Sequence, residues 1–281
     1  MADSRSTLVK RVISAALGAL IVLGVGYFGG RPGLYIVCTA AIVLGIREYS
    51  RIAFLSYRMP STVTHLYWLT SILFYGLLMR YPDFGLMCFA LSNVVFFSGT
   101  LWLCRDRVSN ENLLPALALG TFGMLYCVLF PLFAIKTIQL DSGSEWFLFL
   151  LLVVFSGDTF AYFAGRCYGG RFFRRKLMPQ VSPNKTWEGA FGGLLGSAVM
   201  GTVYVAYVFP GVPLAQTAAF SLVCAFAAQS GDLLISLVKR VAHVKDSGGI
   251  MPGHGGILDR LDGVFIACPL VFAFAIYVGA F

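Results

Sequence analysis

Charge is scarce in this chain. Lys, Arg, Asp and Glu make up 12% of its 281 residues against 58% hydrophobic residues, and the mean hydropathy is +0.80. Soluble domains carry about 25% charged residues, so that class is excluded and a polytopic membrane protein is indicated. Acids are rarer than bases, 13 against 21, and histidine occurs only three times. The seven cysteines (Cys38, Cys88, Cys104, Cys127, Cys167, Cys224, Cys268) form no CxxC pair, which argues against a zinc site or a disulfide framework. No GxxxxGK[ST] occurs, so a P-loop is not the nucleotide-binding device. The basic, apolar start of residues 1–30 lacks an A-x-A cleavage site and reads as an uncleaved first span.

Apolar runs are what the chain has in abundance. A hydrocarbon core about 30 Å thick needs roughly 20 helical residues. Such runs fall near 12–29, 33–50, 64–79, 84–104, 113–135, 146–168, 188–209, 215–240 and 257–280. The expected fold is all-α, with about nine transmembrane helices. Summing bases on alternate sides leaves only Arg31, Arg80 and Lys136 on one side and the rest of the 21 on the other. The positive-inside rule then puts the N-terminus in the cytoplasm and the C-terminus outside. Those bases flank membrane spans, so topology and anionic lipid account for the net charge of +8, and nucleic acid is not the expected partner.

Two regions differ in character. Residues 1–145 read as structural helices, and Glu48, beside Arg47 and Arg51, reads as a salt bridge at a span end. Residues 146–281 hold most of the chemistry. Ser156-Gly157-Asp158 is echoed by Ser230-Gly231-Asp232, which suggests a divergent internal repeat. Gly189, Gly193, Ser197 and Gly201 recur every fourth residue, so one helix face lets a neighbouring backbone approach closely. That neighbour could lie in this chain or in a second protomer of a homodimer.

The densest chemistry lies in Ser236–Asp262. Four bases, three acids and two histidines fall within 27 residues between two apolar segments. Asp158, Asp232, Asp259 and Asp262 lie at or within span ends, where a central acid costs about 2.5–3.5 kcal/mol. Either they reach the interface or a cation neutralises them. Asp259 and Asp262, three apart, share a helix face and can meet one cation. Asp232, Ser236, Lys239 and Arg240 share a face of the preceding helix. Carboxylates alone suit a hard cation such as Mg²⁺, which keeps waters and bridges phosphates. The alternative is a set of acid–base pairs stitching helices, with Asp259 or Asp262 against Lys239 or Arg260.

Gly248, Gly249, Gly253, Gly255 and Gly256 would let backbone amides approach an anion, with Lys239, Arg240, Lys245 and Arg260 as charged donors. In a second basic loop, Arg166 to Lys185, Ser182 before Pro183 reads as an N-cap that would aim a helix N-terminus and Lys185 at an anion. His254, between glycines, is placed to bind phosphate or act as an acid.

The pattern S-x-x-K-R, then K-D, then P-x-H-G-G-x-x-D-R-x-D, at Ser236, Lys239, Arg240, Lys245, Asp246, Pro252, His254, Gly255, Gly256, Asp259, Arg260 and Asp262, resembles the signature of the phosphatidate cytidylyltransferases. Upstream, Gly157-Asp158-x-x-Ala161-Tyr162 and Ser182-Pro183-x-Lys185-Thr186-x-Glu188-Gly189 also look like that family. Met251 departs from the usual Leu, Ile or Phe, a mild change. The resemblance implies transfer of CMP from CTP to phosphatidic acid, with Mg²⁺ and room for a second cation, at the cytoplasmic face of a bacterial inner membrane. It implies Asp232 and Asp259 as metal ligands and Asp262 as a further one. Lys239, Arg240, Lys245, Lys185 and Ser182 would hold phosphates, Asp246 would orient Lys245 or bind metal, and His254 would contact the triphosphate. A CTP-dependent polyprenol kinase would use similar loops, although the HGGxxDRxD ending disfavours it. An ion-coupled transporter is disfavoured because the acids cluster at one face rather than the midplane.

Overall fold

The computed structural model describes residues 2–250 and 255–279, with side chains omitted for 2–17, 19 and 21. Among these residues every regular element is helical, with no strand. The elements are α1 (Ala2–Leu55), α2 (Ser61–Arg80), α3 (Gly85–Cys104), α4 (Asn110–Met124), α5 (Phe130–Gln139), α6 (Gly143–Tyr168), α7 (Trp187–Val208), α8 (Leu214–Val241) and α9 (Leu258–Tyr277). Among the described residues eight stretches are long and apolar enough to cross a membrane, the first being Val22–Leu55. The chain is therefore a polytopic helical membrane protein.

The described residues hold eight such stretches against about nine expected, and the difference lies at the start of the chain. α1 is broken at Gly30, whose φ of 55° and ψ of −149° are non-helical, a conformation open to glycine. The expected spans 12–29 and 33–50 are thus two helical stretches meeting at that break. Much of the first falls on residues whose side chains are not described. The remaining expected spans agree with the observed helices to within a few residues. Between α4 and α5, Leu125–Leu129 forms a π turn. Pro131 follows, which lacks an N–H and crowds the carbonyl four residues back, and a widened turn accommodates it.

The chain forms two compact units. The first runs through to Leu132 and includes Val238–Arg260; the second holds Phe133–Leu237 and Leu261 onward. In the first, Tyr49, Phe54, Tyr67 and Phe96 pack as an aromatic cluster. Tyr49 Oη donates to Leu119 O at 2.8 Å, and Trp68 Nε1 donates to Ser50 Oγ at 2.7 Å. In the second, Trp146 stacks on Phe209 at 4.4 Å and Phe220 on Phe274 at 4.1 Å.

The small-residue face of α7 finds its neighbour within the chain. A Cβ at Gly189 would lie 2.9 Å from Ala161 O of α6, and one at Gly193 2.9 Å from Gly157 O. Ser197 Oγ donates to Val153 O at 2.7 Å. Backbone-to-backbone approach of this kind is what small residues at fourfold spacing permit.

Candidate active site

α8 ends in a left-handed cap. His243, at φ 55°, donates its N–H to Arg240 O, and Val244 N donates to Lys239 O, the paired bonds of a Schellman cap with histidine where glycine is usual. Lys239 therefore sits in the last turn of α8, where a cation is favoured by the helix dipole, while Asp259 sits in the first turn of α9, where an anion is favoured. Lys239 Nζ reaches Asp259 Oδ1 at 2.6 Å, and both side chains are nearly buried. The other oxygen, Oδ2, accepts from Ser247 N at 2.8 Å and Gly256 N at 3.0 Å. Asp259 is thus held by one ammonium and two loop amides, all charge-assisted bonds.

Behind this loop lies a residue that sequence reasoning assigned elsewhere. Glu48 of α1 is 4% exposed. Its Oε2 accepts from Ser247 Oγ at 2.8 Å and Leu258 N at 2.9 Å, and its Oε1 accepts from Ile257 N at 3.0 Å. The expected ion pair with Arg47 or Arg51 is not what occupies it. Both arginines are exposed, whereas the buried carboxylate needs donors that reach it, and the loop supplies them. Two of the loop glycines, Gly248 and Gly256, find a reason in the same contact. A Cβ at Gly248 would stand 2.6 Å from Glu48 Oε1, and one at Gly256 would collide with Glu48 Oε2 and Ser247 Oγ. Gly255 takes φ 80°, a conformation glycine adopts without penalty.

The second unit holds a separate pair. Lys185 Nζ lies 2.7 Å from Asp232 Oδ2, and Ser236 Oγ donates to Asp232 Oδ1 at 3.2 Å. The helix beginning after Lys185 is capped by Thr186, which accepts from Gly189 N at 3.1 Å, and not by Ser182. Ser182 instead pairs with Met178 across a tight turn, its N–H donating to Met178 O at 2.9 Å. Residues 183–186 are turn and extended backbone rather than helix, so Ser182 lies four residues before the true cap. Glu188, also missed by the sequence reading as a loop organiser, accepts from Gly170 N, Phe172 N and Phe173 N, each at 3.0 Å, on Oε1. One carboxylate oxygen thereby folds the start of the basic loop back onto α7.

Of the remaining candidates, Arg240, Lys245, Asp246 and Arg260 are exposed, and Asp262 is buried with Oδ1 accepting from Gly263 N at 2.8 Å. His254 lies outside the described residues. Asp232 and Asp259 each carry a lysine, so the helix-stitching alternative is realised at Lys239–Asp259. A lysine ammonium neutralises each carboxylate and removes most of the cost of placing it beside hydrocarbon. Among the described residues no three acid, histidine or cysteine side chains converge on a metal position. The donors present are nonetheless hard oxygens, and Mg²⁺ commonly takes only one or two carboxylates with waters and substrate phosphates. The residues fit that chemistry.

The fold and these two lysine–carboxylate pairs define a class: an all-helical, polytopic membrane protein with charged machinery at its helix ends. Residues 9–278 match the cytidylyltransferase family, and the chain belongs to that family. It is similar to the phosphatidate cytidylyltransferase of Brucella abortus, 43% identical over 152 residues that cover 50% of this chain and 53% of that protein. It is similar to the phosphatidate cytidylyltransferase of Bacillus subtilis at 36% over 166 residues, 59% of this chain and 60% of that one. Chloroplastic phosphatidate cytidylyltransferase 5 of Arabidopsis thaliana matches at 29% over 304 residues, 96% of this chain and 72% of that protein. The matching segment spans about half the length of the Brucella relative.

Proposed function

We propose that this chain transfers CMP from CTP to phosphatidic acid, giving CDP-diacylglycerol and pyrophosphate, as a phosphatidate cytidylyltransferase. The observation that carries the reading is the family match across residues 9–278, which encloses the Ser236–Asp262 segment and its Lys239–Asp259 pair. The names of the relatives supply the substrate class.

A phosphatidate oxygen attacks the α-phosphorus of CTP while the bond to pyrophosphate breaks. A phosphate monoester has a second pKa of about 6 and is largely dianionic at neutral pH, so no general base is needed. Catalysis reduces to positioning and charge neutralisation. Lys239, Arg240, Lys245, Lys185 and Ser182 would bind phosphates, and His254 would contact the triphosphate. Asp232, Asp259 and Asp262 would hold Mg²⁺, with Asp246 orienting Lys245. Bound Mg²⁺ supplies charge neutralisation at the phosphates. The excess of bases on one side of the spans supports a reaction at the cytoplasmic face of the inner membrane, where CTP is available.

The test uses purified protein in phosphatidate-containing vesicles with labelled CTP and Mg²⁺. Label from the α-phosphate is expected in lipid. Label from the γ-phosphate in lipid would point to the lipid kinase instead, and CTP-independent ion uptake with no lipid nucleotide would point to the transporter.

A further inference from the structure

Two carboxylates from distant parts of the chain grip the same short loop. Ser247 gives its backbone N–H to Asp259 and its hydroxyl to Glu48. Gly256 gives its N–H to Asp259 while its Cα packs against the Glu48 carboxylate. The next two amides, Ile257 and Leu258, go to Glu48. Leu258 opens α9, so Glu48 also supplies acceptors for amides that no preceding turn can satisfy, and its negative charge suits that helix end.

The amides that cradle Asp259 therefore belong to residues that Glu48 holds in place. Among the described residues no Lys or Arg forms an ion pair with Glu48; its hydrogen-bond donors come from the loop. All three hydrogen bonds that the described residues give Glu48 come from the segment bearing Asp259.

We propose that Glu48 is a positioning residue for nucleotidyl transfer. By holding Ser247, Ile257 and Leu258, it keeps the α8–α9 loop in the form in which Asp259 takes two loop amides on Oδ2 and turns Oδ1 to Lys239. The proposal rests on the cytidylyltransferase reading above. It adds a requirement for a side chain far outside the charged signature.

Glu48→Gln in the full-length protein, in vesicles, tests it. The amide offers one acceptor oxygen, so Ile257 N and Leu258 N compete for it. Loss of a partner that orients a metal ligand typically costs about 10–100-fold, and kcat is expected to fall by that factor. The Mg²⁺ concentration for half-maximal rate should rise about tenfold while KM for phosphatidate stays within about twofold. Backbone amide exchange at 245–250 and 255–260 should quicken, a readout independent of turnover. An unchanged kcat and Mg²⁺ dependence would overturn the proposal. So would a fall in kcat with no change in Mg²⁺ dependence, which marks a merely structural role. If the wild type makes no CDP-lipid, the enzymatic reading fails by itself. Exchange then decides the grip, which unchanged rates refute and faster rates uphold. Should Glu48→Gln not accumulate, Ser247→Ala removes one donor to Glu48 and spares the backbone N–H to Asp259. A rise of about threefold in half-saturating Mg²⁺ is then expected, and an unchanged value overturns the proposal.

Discussion

Lys239 Nζ and Asp259 Oδ1 lie 2.6 Å apart and tie the last turn of α8 to the first turn of α9. The pair closes the loop that carries the charged signature. With its carbonyl in the Oδ2 position, Asp259→Asn keeps the shape and both loop amides, but it removes the charge opposite Lys239 and turns an amide donor toward it. CDP-lipid formation is expected to drop by at least about 100-fold, with the protein still inserted and monodisperse in detergent. Near-normal turnover of the purified variant would remove Asp259 from the reaction.

Lys185 and Asp232 are more open to solvent, at 26% and 35% side-chain exposure. An ion pair of that exposure contributes about 0–1 kcal/mol. Lys185→Ala is therefore expected to leave the thermal unfolding midpoint nearly unchanged while turnover falls about 10-fold or more, the loss expected of a phosphate-holding side chain. A large stability loss with retained turnover would make the pair structural.

Most of the helical layout was legible in the sequence because apolar length alone limits it. α6, α7 and α8 end within a few residues of the expected spans 146–168, 188–209 and 215–240. The small-residue face of α7 was legible for the same kind of reason, a fixed spacing on one helix, although its partner α6 was not. Glu48 was not legible as a loop anchor. Arg47 and Arg51 are the local partners that a sequence offers, whereas the real donors lie 199 to 210 residues away. The surroundings of Gly248 and Gly256 were hidden for a linked reason. Composition shows that backbone can come close to something there, and only the fold shows that the something at Gly248 and Gly256 is a carboxylate. Ser182 and Thr186 both satisfy the local chemistry of an N-cap. The Met178–Ser182 turn decides between them, and it is set by loop geometry rather than by residue type.

Gly256→Ala places a methyl group against the Glu48 carboxylate and Ser247 Oγ. Overpacking of a close contact typically costs about 1–3 kcal/mol, and a lower unfolding midpoint is expected. Glu48→Ala in the same chain removes one of the two obstacles and leaves Ser247 Oγ free to turn away, so the two changes together should destabilise less than their separate effects combined. Coupling of contacting residues runs about 0.5–3 kcal/mol. Additive behaviour in the double-variant cycle would mean that Gly256 and Glu48 do not meet.

Glu188 gathers three backbone amides on one oxygen, and its other oxygen is buried without a partner among the described residues. Glu188→Gln keeps the volume but offers a single acceptor carbonyl. If that carbonyl takes the Oε1 position, the three amides retain a weaker, uncharged acceptor; if the amide group takes it, they face a donor and lose their partner. A hydrogen bond to a charged group is worth about 1.5–3 kcal/mol against about 0.5–1.5 for a neutral one, so the start of the basic loop should open more often in either case. Arg171, Arg174, Arg175 and Lys176 are exposed there, which makes trypsin a direct probe. Cleavage after these residues is expected to quicken in Glu188→Gln relative to wild type in the same detergent. Equal cleavage rates would show that the loop holds its fold without Glu188, and that the charge of this carboxylate serves only the start of α7.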